Sequence, residues 1–121
     1  MKDAARTILG VLPHSFQSEV EEAQIKLDMP FRRNVLLVHK EALHNVLKHA
    51  GATHVEIAVR VDHGLFTLQV VDDGNGFNPE AVRKGNGLSN MQRRAAAMNG
   101  DLKIASRCGE GTRLVLTARI P

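Results

Sequence analysis

Midway along this chain the spacing of apolar residues changes from helical to extended. Between residues 31 and 50, Val35, Val38, Ala42, Val46 and Ala50 recur at three- and four-residue steps, which predicts a long amphipathic helix, with Gly51 as its C-cap. From His54 to Val61 and from Leu65 to Val71 apolar and polar residues alternate instead. Asp62-His63-Gly64 separates the two runs, so this stretch predicts a β-hairpin. A glycine-rich stretch, Asp72 to Gly87, contains Asn78-Pro79 and leads into a second helix, Leu88 to Met98, closed by Asn99-Gly100. Two more strands, 101–106 and 112–120, turn at Gly109-Glu110-Gly111. Upstream, Ala23 to Met29 alternates as a short strand ended by Pro30, and residues 1–22 are weakly patterned and broken by Pro13. Strand, helix, hairpin, loop, helix, hairpin is the order of a two-layer α/β sandwich: one mixed β-sheet with its helices packed on one face, in a single domain spanning 1–121.

Composition narrows the function classes. With 121 residues, 43% hydrophobic and 24% charged, the chain has the balance of one globular domain. Its net charge of +3 suits an anionic partner such as a nucleotide or nucleic acid. Four Phe and no Trp or Tyr leave almost no stacking platform for single-stranded nucleic acid. The single Cys108 excludes an internal disulfide framework and fits a reducing compartment. Val35-Leu36-Leu37-Val38 is far too short to span a membrane, and Met1 to Arg6 holds no signal-peptide core, so no direct membrane contact is expected in this segment.

The first predicted helix carries a polar stripe. Glu41, Asn45 and Lys48 lie four and three residues apart and share a face, with His49 one turn beyond Asn45. Taken alone, such a stripe is more often a solvated surface. It also has the makings of a phosphate-handling edge. Mg²⁺ takes few protein oxygens beside substrate phosphates, and Asn45 offers one. Glu41 can orient or deprotonate an attacking group, and Lys48 can neutralise phosphate charge. His39, His44, His49 and His54 are spaced by five, which turns successive members onto different faces, so metal ligation by histidine is set aside.

Two glycine segments follow. Asp72-Asp73-Gly74-Asn75-Gly76 closes a predicted strand and reads alone as a tight turn. It also reads as a base-binding element. An ionised Asp72 accepts a hydrogen bond from an exocyclic amine, and Gly74 and Gly76 let the backbone approach a flat ring. Lys84-Gly85-Asn86-Gly87-Leu88 opens the second helix, where free N–H groups suit phosphate; a flexible loop before a capped helix explains it equally well. Neither a Walker A loop nor a dinucleotide fingerprint is present. Gly109-Glu110-Gly111-Thr112 reads as a hairpin turn in which Thr112 can offer a hydroxyl to a phosphate.

The ordered set of Glu41 to Ala50, Asp72 to Phe77, Gly85 to Leu88 and Gly109 to Thr112 resembles the N box and glycine boxes of the superfamily of gyrase, heat-shock chaperone, histidine kinase and mismatch-repair ATPases, with its Bergerat fold. Within it, residues 31–121 look most similar to the catalytic ATP-binding domain of sensor histidine kinases. The text Gly87 to Ala95 is similar to kinases that partner response regulators of the NarL/LuxR type. The resemblance implies ATP and Mg²⁺ as cofactors, with Asn45 holding the metal and Glu41 activating the acceptor as the catalytic residue. It implies Lys48, His49, Lys84, Gly85, Gly87 and Leu88 on the phosphate side, and Asp72, Gly74 and Gly76 around the adenine. Residues 77–85 would be a short ATP lid.

The resemblance further implies transfer of the γ-phosphoryl group to a histidine on a separate dimerisation domain, and a cytoplasmic location, free-standing or as part of a membrane-anchored sensor. No acceptor-histidine hairpin is recognised in these residues, since Pro13 beside His14 opposes a helix interior, so the module alone is not expected to autophosphorylate. Two rival readings remain. One is a Ser/Thr kinase of the anti-sigma type with the same fold, distinguished by an acid-stable phosphoprotein. The other is a non-enzymatic basic nucleic-acid binder, suggested by Arg32-Arg33 and Arg93-Arg94 and ranked behind because paired arginines on helices are usually solvated. No nucleic-acid partner is expected.

Overall fold

Burial alternates along the central strands and gives the sheet one inward face. The computed structural model describes residues 2–10, 14–19, 29–48, 52–75, 86–106 and 109–121. In chain order the elements are α1 (Lys2–Leu9), β1 (His14–Glu19), α2 (Met29–Lys48), β2 (Val55–Asp62), β3 (Leu65–Asp72), α3 (Asn86–Ala97), β4 (Asp101–Ser106) and β5 (Thr112–Arg119). The strands form one sheet in the order β1-β2-β3-β5-β4. β1 is parallel to β2 and every other pair is antiparallel, so the sheet is mixed, as the element order predicts.

Val55, Ile57 and Val59 of β2, Phe66, Leu68 and Val70 of β3, and Leu114 and Leu116 of β5 are buried. They meet the buried stripe Phe31, Val35, Val38, Ala42 and Val46 of α2, and Met91 and Ala95 of α3. The rings of Phe31 and Phe66 cross at 89° with centroids 5.8 Å apart, pinning the start of α2 to β3. Each buried Leu, Val, Ile or Phe contributes about 2 kcal/mol. An exposed ion pair such as Asp101–Lys103, at 3.8 Å, contributes roughly 0.5 kcal/mol. Stability therefore rests on this interior and not on surface charge. Among the described residues no helix is long and apolar enough to cross a membrane.

The structure adds two elements that the weak pattern of residues 1–22 did not predict. In α1, Ala5 and Leu9 are buried, and the helix packs on α2 and β1. In β1, Phe16 lies edge-on to the fully buried His39 of α2, with centroids 6.3 Å apart. The expected strand over 23–29 lies outside the described residues except for Met29, which instead opens α2. Pro30 fits there because a first-turn N–H has no intrahelical partner to lose. The expected cap at Gly51 also lies outside the described residues.

Both hairpins form where the sequence places them. His63 and Gly64 take φ of 50° and 77°, the positive pair of a tight two-residue turn whose twist matches its strands. Asn99 ends α3 with φ of 53°, and Gly100 N donates to Ala95 O at 2.8 Å. At the second hairpin Gly111 has φ of 79°, and a Cβ there would overlap the carbonyl oxygen of Asp72. Gly111→Ala is expected to lower unfolding free energy by about 2 kcal/mol or more, because left-handed strain and overlap add. Urea unfolding checks this, and an unchanged midpoint would contradict it.

Candidate functional site

In an antiparallel sheet, residues directly opposite one another share a face. At one end of the sheet this places Asp72 of β3 opposite Thr112 of β5, and Thr112 opposite Ser106 of β4. The next inward-facing row is Val70, Leu114 and Ile104. That row forms the floor of a cavity of about 360 Å³, and Asp72 and Thr112 form its polar end. Ala42, Asn45 and Val46 of α2 make one wall, spaced so that one helix face presents all three. Leu88 and Met91 of α3 make the other. The result is a mostly apolar cleft, partly open to solvent, with a carboxylate, a hydroxyl and an amide at its margin.

Two adjacent aspartates end β3, and the structure divides their tasks. Asp73 Oδ1 accepts from the backbone N–H of Thr53 at 2.8 Å and of His54 at 2.9 Å, and its Oδ2 accepts from the Thr53 hydroxyl. These bonds tie the entry of β2 to the exit of β3. The Thr53 hydroxyl and the two N–H groups favour the ionised carboxylate and hold its pKa down from 3.8 to about 2. Asp72 lines the cavity instead. Its Oδ1 accepts from Gly74 N at 2.9 Å, which fixes the carboxylate's rotation. Gly74 is buried, and a Cβ on it would lie 3.0 Å from Asp72 Oδ1 and 3.1 Å from Ala52 N, so a side chain there would press on the turn.

Of the residues singled out from the sequence, Asn45, Asp72, Leu88 and Thr112 line this cavity together. Gly74 supports Asp72 from behind. Glu41 is half-buried one turn before Asn45 and does not line the cavity. Lys48 is the last residue of α2, and Gly87 lies in the first turn of α3. His49, Gly76, Lys84 and Gly85 lie outside the described residues. The sequence reading missed Ser106 and the apolar row Val70, Leu114 and Ile104. Only cross-strand register brings these together, and a linear pattern does not encode it.

The fold is that of a two-layer α/β domain with one cleft margin carrying polar groups. The family model for histidine kinase-, DNA gyrase B- and HSP90-like ATPases matches residues 32–121, and the chain belongs to that family. Among curated relatives, the signal transduction histidine-protein kinase/phosphatase DegS of Brevibacillus brevis is 33% identical over 82 residues, which are 67% of this chain and 21% of DegS. The sensor histidine kinase LiaS of Bacillus subtilis is 33% identical over 76 residues, 62% of this chain and 21% of LiaS. The chain thus spans about a fifth of the length of these relatives. Among solved structures, the blue-light activated histidine kinase of Erythrobacter litoralis EL346 superposes with a TM-score of 0.82 at 20% identity, over 98% of this chain and 40% of that one. The histidine kinase AdeS of Acinetobacter baumannii gives 0.72 at 14% identity, over 98% of this chain and 64% of AdeS. These likenesses show a shared fold.

The Asp73 clamp has a pH signature. Its folded-state pKa of about 2 lies below the ordinary 3.8, so its stabilisation is complete above about pH 4 and fades as the pH falls toward 2. Asp73→Asn is expected to lower the melting temperature at pH 7 and to flatten the fall in stability between pH 4 and 2. Thermal melts across that range check it; a slope equal to that of the parent would exclude the clamp.

Proposed function

We propose that this chain is the ATP-binding catalytic module of a two-component sensor histidine kinase, passing the γ-phosphoryl group of ATP to a histidine on a separate dimerisation domain. The observation that carries the reading is the shared cavity of Asn45 and Asp72, set at the margin of one apolar floor in a member of an ATPase family. The names of the relatives, a signal transduction histidine-protein kinase/phosphatase and a sensor histidine kinase, support the same reading. A response regulator of the NarL/LuxR type downstream and a cytoplasmic setting complete the proposal.

Each group has a task that its chemistry suits. The Asp72 carboxylate is an acceptor only, so it takes the exocyclic amine of adenine. Val70, Leu114 and Ile104 give the base an apolar bed. Asn45 offers a neutral amide oxygen, a hard donor that fits Mg²⁺ carried in with the phosphates. That ion supplies charge neutralisation at the β- and γ-phosphates. Lys48, His49, Lys84, Gly85, Gly87 and Leu88 serve the phosphate side, and Gly76 the base. Glu41, one turn from Asn45, orients the acceptor imidazole and takes its proton as the N–P bond forms and ADP leaves. Most of the rate then comes from positioning and charge stabilisation.

Titration with ATP and Mg²⁺ is the first test. Saturable binding is expected, about thirtyfold weaker in Asp72→Asn, which keeps the shape and loses a charged acceptor worth ~2 kcal/mol. Asn45→Ala should weaken binding about tenfold with Mg²⁺ and leave binding in EDTA unchanged. No saturation, or parental affinity in Asp72→Asn, would end the reading. With a dimerisation domain of a similar kinase supplied in trans, the phosphoprotein should be acid-labile; an acid-stable product would transfer the proposal to a Ser or Thr acceptor.

A further inference from the structure

Ser106 is not among the residues lining the cavity, yet its hydroxyl reaches one that is. Ser106 Oγ lies 2.8 Å from Thr112 Oγ1 and donates to the carbonyl oxygen of Gly111 at 3.2 Å. Either hydroxyl can donate across the 2.8 Å contact; giving the Ser106 proton to the Gly111 carbonyl lets both bonds form at once, with Thr112 donating to Ser106. In that arrangement both hydroxyl protons are used within the β4–β5 hairpin, and Thr112 turns lone pairs toward the cavity. The register sets it directly opposite Asp72, an acceptor when ionised. The polar end of the cavity is therefore two acceptors side by side.

We infer that Ser106 is a positioning residue that locks Thr112 as an acceptor, and that this lock makes the site select a 6-amino purine over a 6-oxo purine. The inference rests on the nucleotide reading above and specifies its base. An exocyclic amine brings two N–H donors to two acceptors. A 6-oxo group brings an oxygen, which meets lone pairs and loses its water without replacement. Without Ser106 the Thr112 hydroxyl turns and donates to the oxo group, and the discrimination relaxes.

The test compares the dissociation constants of ATP and ITP, each with Mg²⁺, by calorimetry. The parent should prefer ATP. In Ser106→Ala the ITP-to-ATP ratio of dissociation constants should fall about tenfold, the scale of one hydrogen bond, and Ser106→Thr should restore it. On a Thr112→Val background, Ser106→Ala should change the ratio no further, since the two residues act as one unit. A parental ratio in Ser106→Ala, an equal loss of affinity for both nucleotides, or the same change on the Thr112→Val background would overturn the inference while leaving the nucleotide reading standing. A parent that binds neither nucleotide would overturn both.

Discussion

The hydrogen bonds that Thr53 and His54 send to Asp73 govern what the end of β3 can do. Adjacent residues on an extended chain point to opposite sides, so two neighbouring carboxylates cannot both serve one cleft. Asp73 is held outside as a staple between two strands, and Asp72 is left facing inward. Gly74 closes the arrangement from behind by donating to Asp72. A structural carboxylate and a cavity carboxylate thus sit side by side without competing for the same donors.

The cleft is made from the same alternation that makes the core. Val70 and Leu114 are almost wholly buried and belong to the hydrophobic interior, yet they also floor the cavity. One helix wall comes from three residues of α2 whose neighbours Val38 and Leu43 are fully buried in the core. Among the described residues the site is built on ordinary helix and strand backbone with the turns at its rim. Its shape follows from α2 and α3 lying across one end of the sheet. Its chemistry follows from the polar residues that replace apolar ones in the last row.

Much of this was legible in the text. The switch from helical to alternating spacing gave both hairpins and both large helices to within a few residues, because those segments bury one face and carry strong turn residues. Asn45, Asp72, Leu88 and Thr112 were legible as an ordered set, and the cavity brings them together. The first two elements were not legible. Among its described side chains α1 buries only Ala5 and Leu9, and β1 is an edge strand whose Phe16 is its one large apolar residue. Its partner is β2, parallel and far along the chain, and such pairing leaves no local trace. Pro30 was read as ending a strand when it opens a helix, since a proline marks a boundary without saying which side is helical. Ser106 was invisible for a different reason: a serine near a turn is commonplace, and only the ladder reveals which hydroxyl it meets.

The three-strand polar row also depends on how β4 and β5 are paired. Asp72, Thr112 and Ser106 share a face only while the β4–β5 connection keeps its present phase. A one-residue slip in the pairing of β4 with β5 would carry Ser106 away from Thr112 and bring an arginine or an alanine inward in its place, so the buried row that fixes this register also fixes the polar end of the cleft.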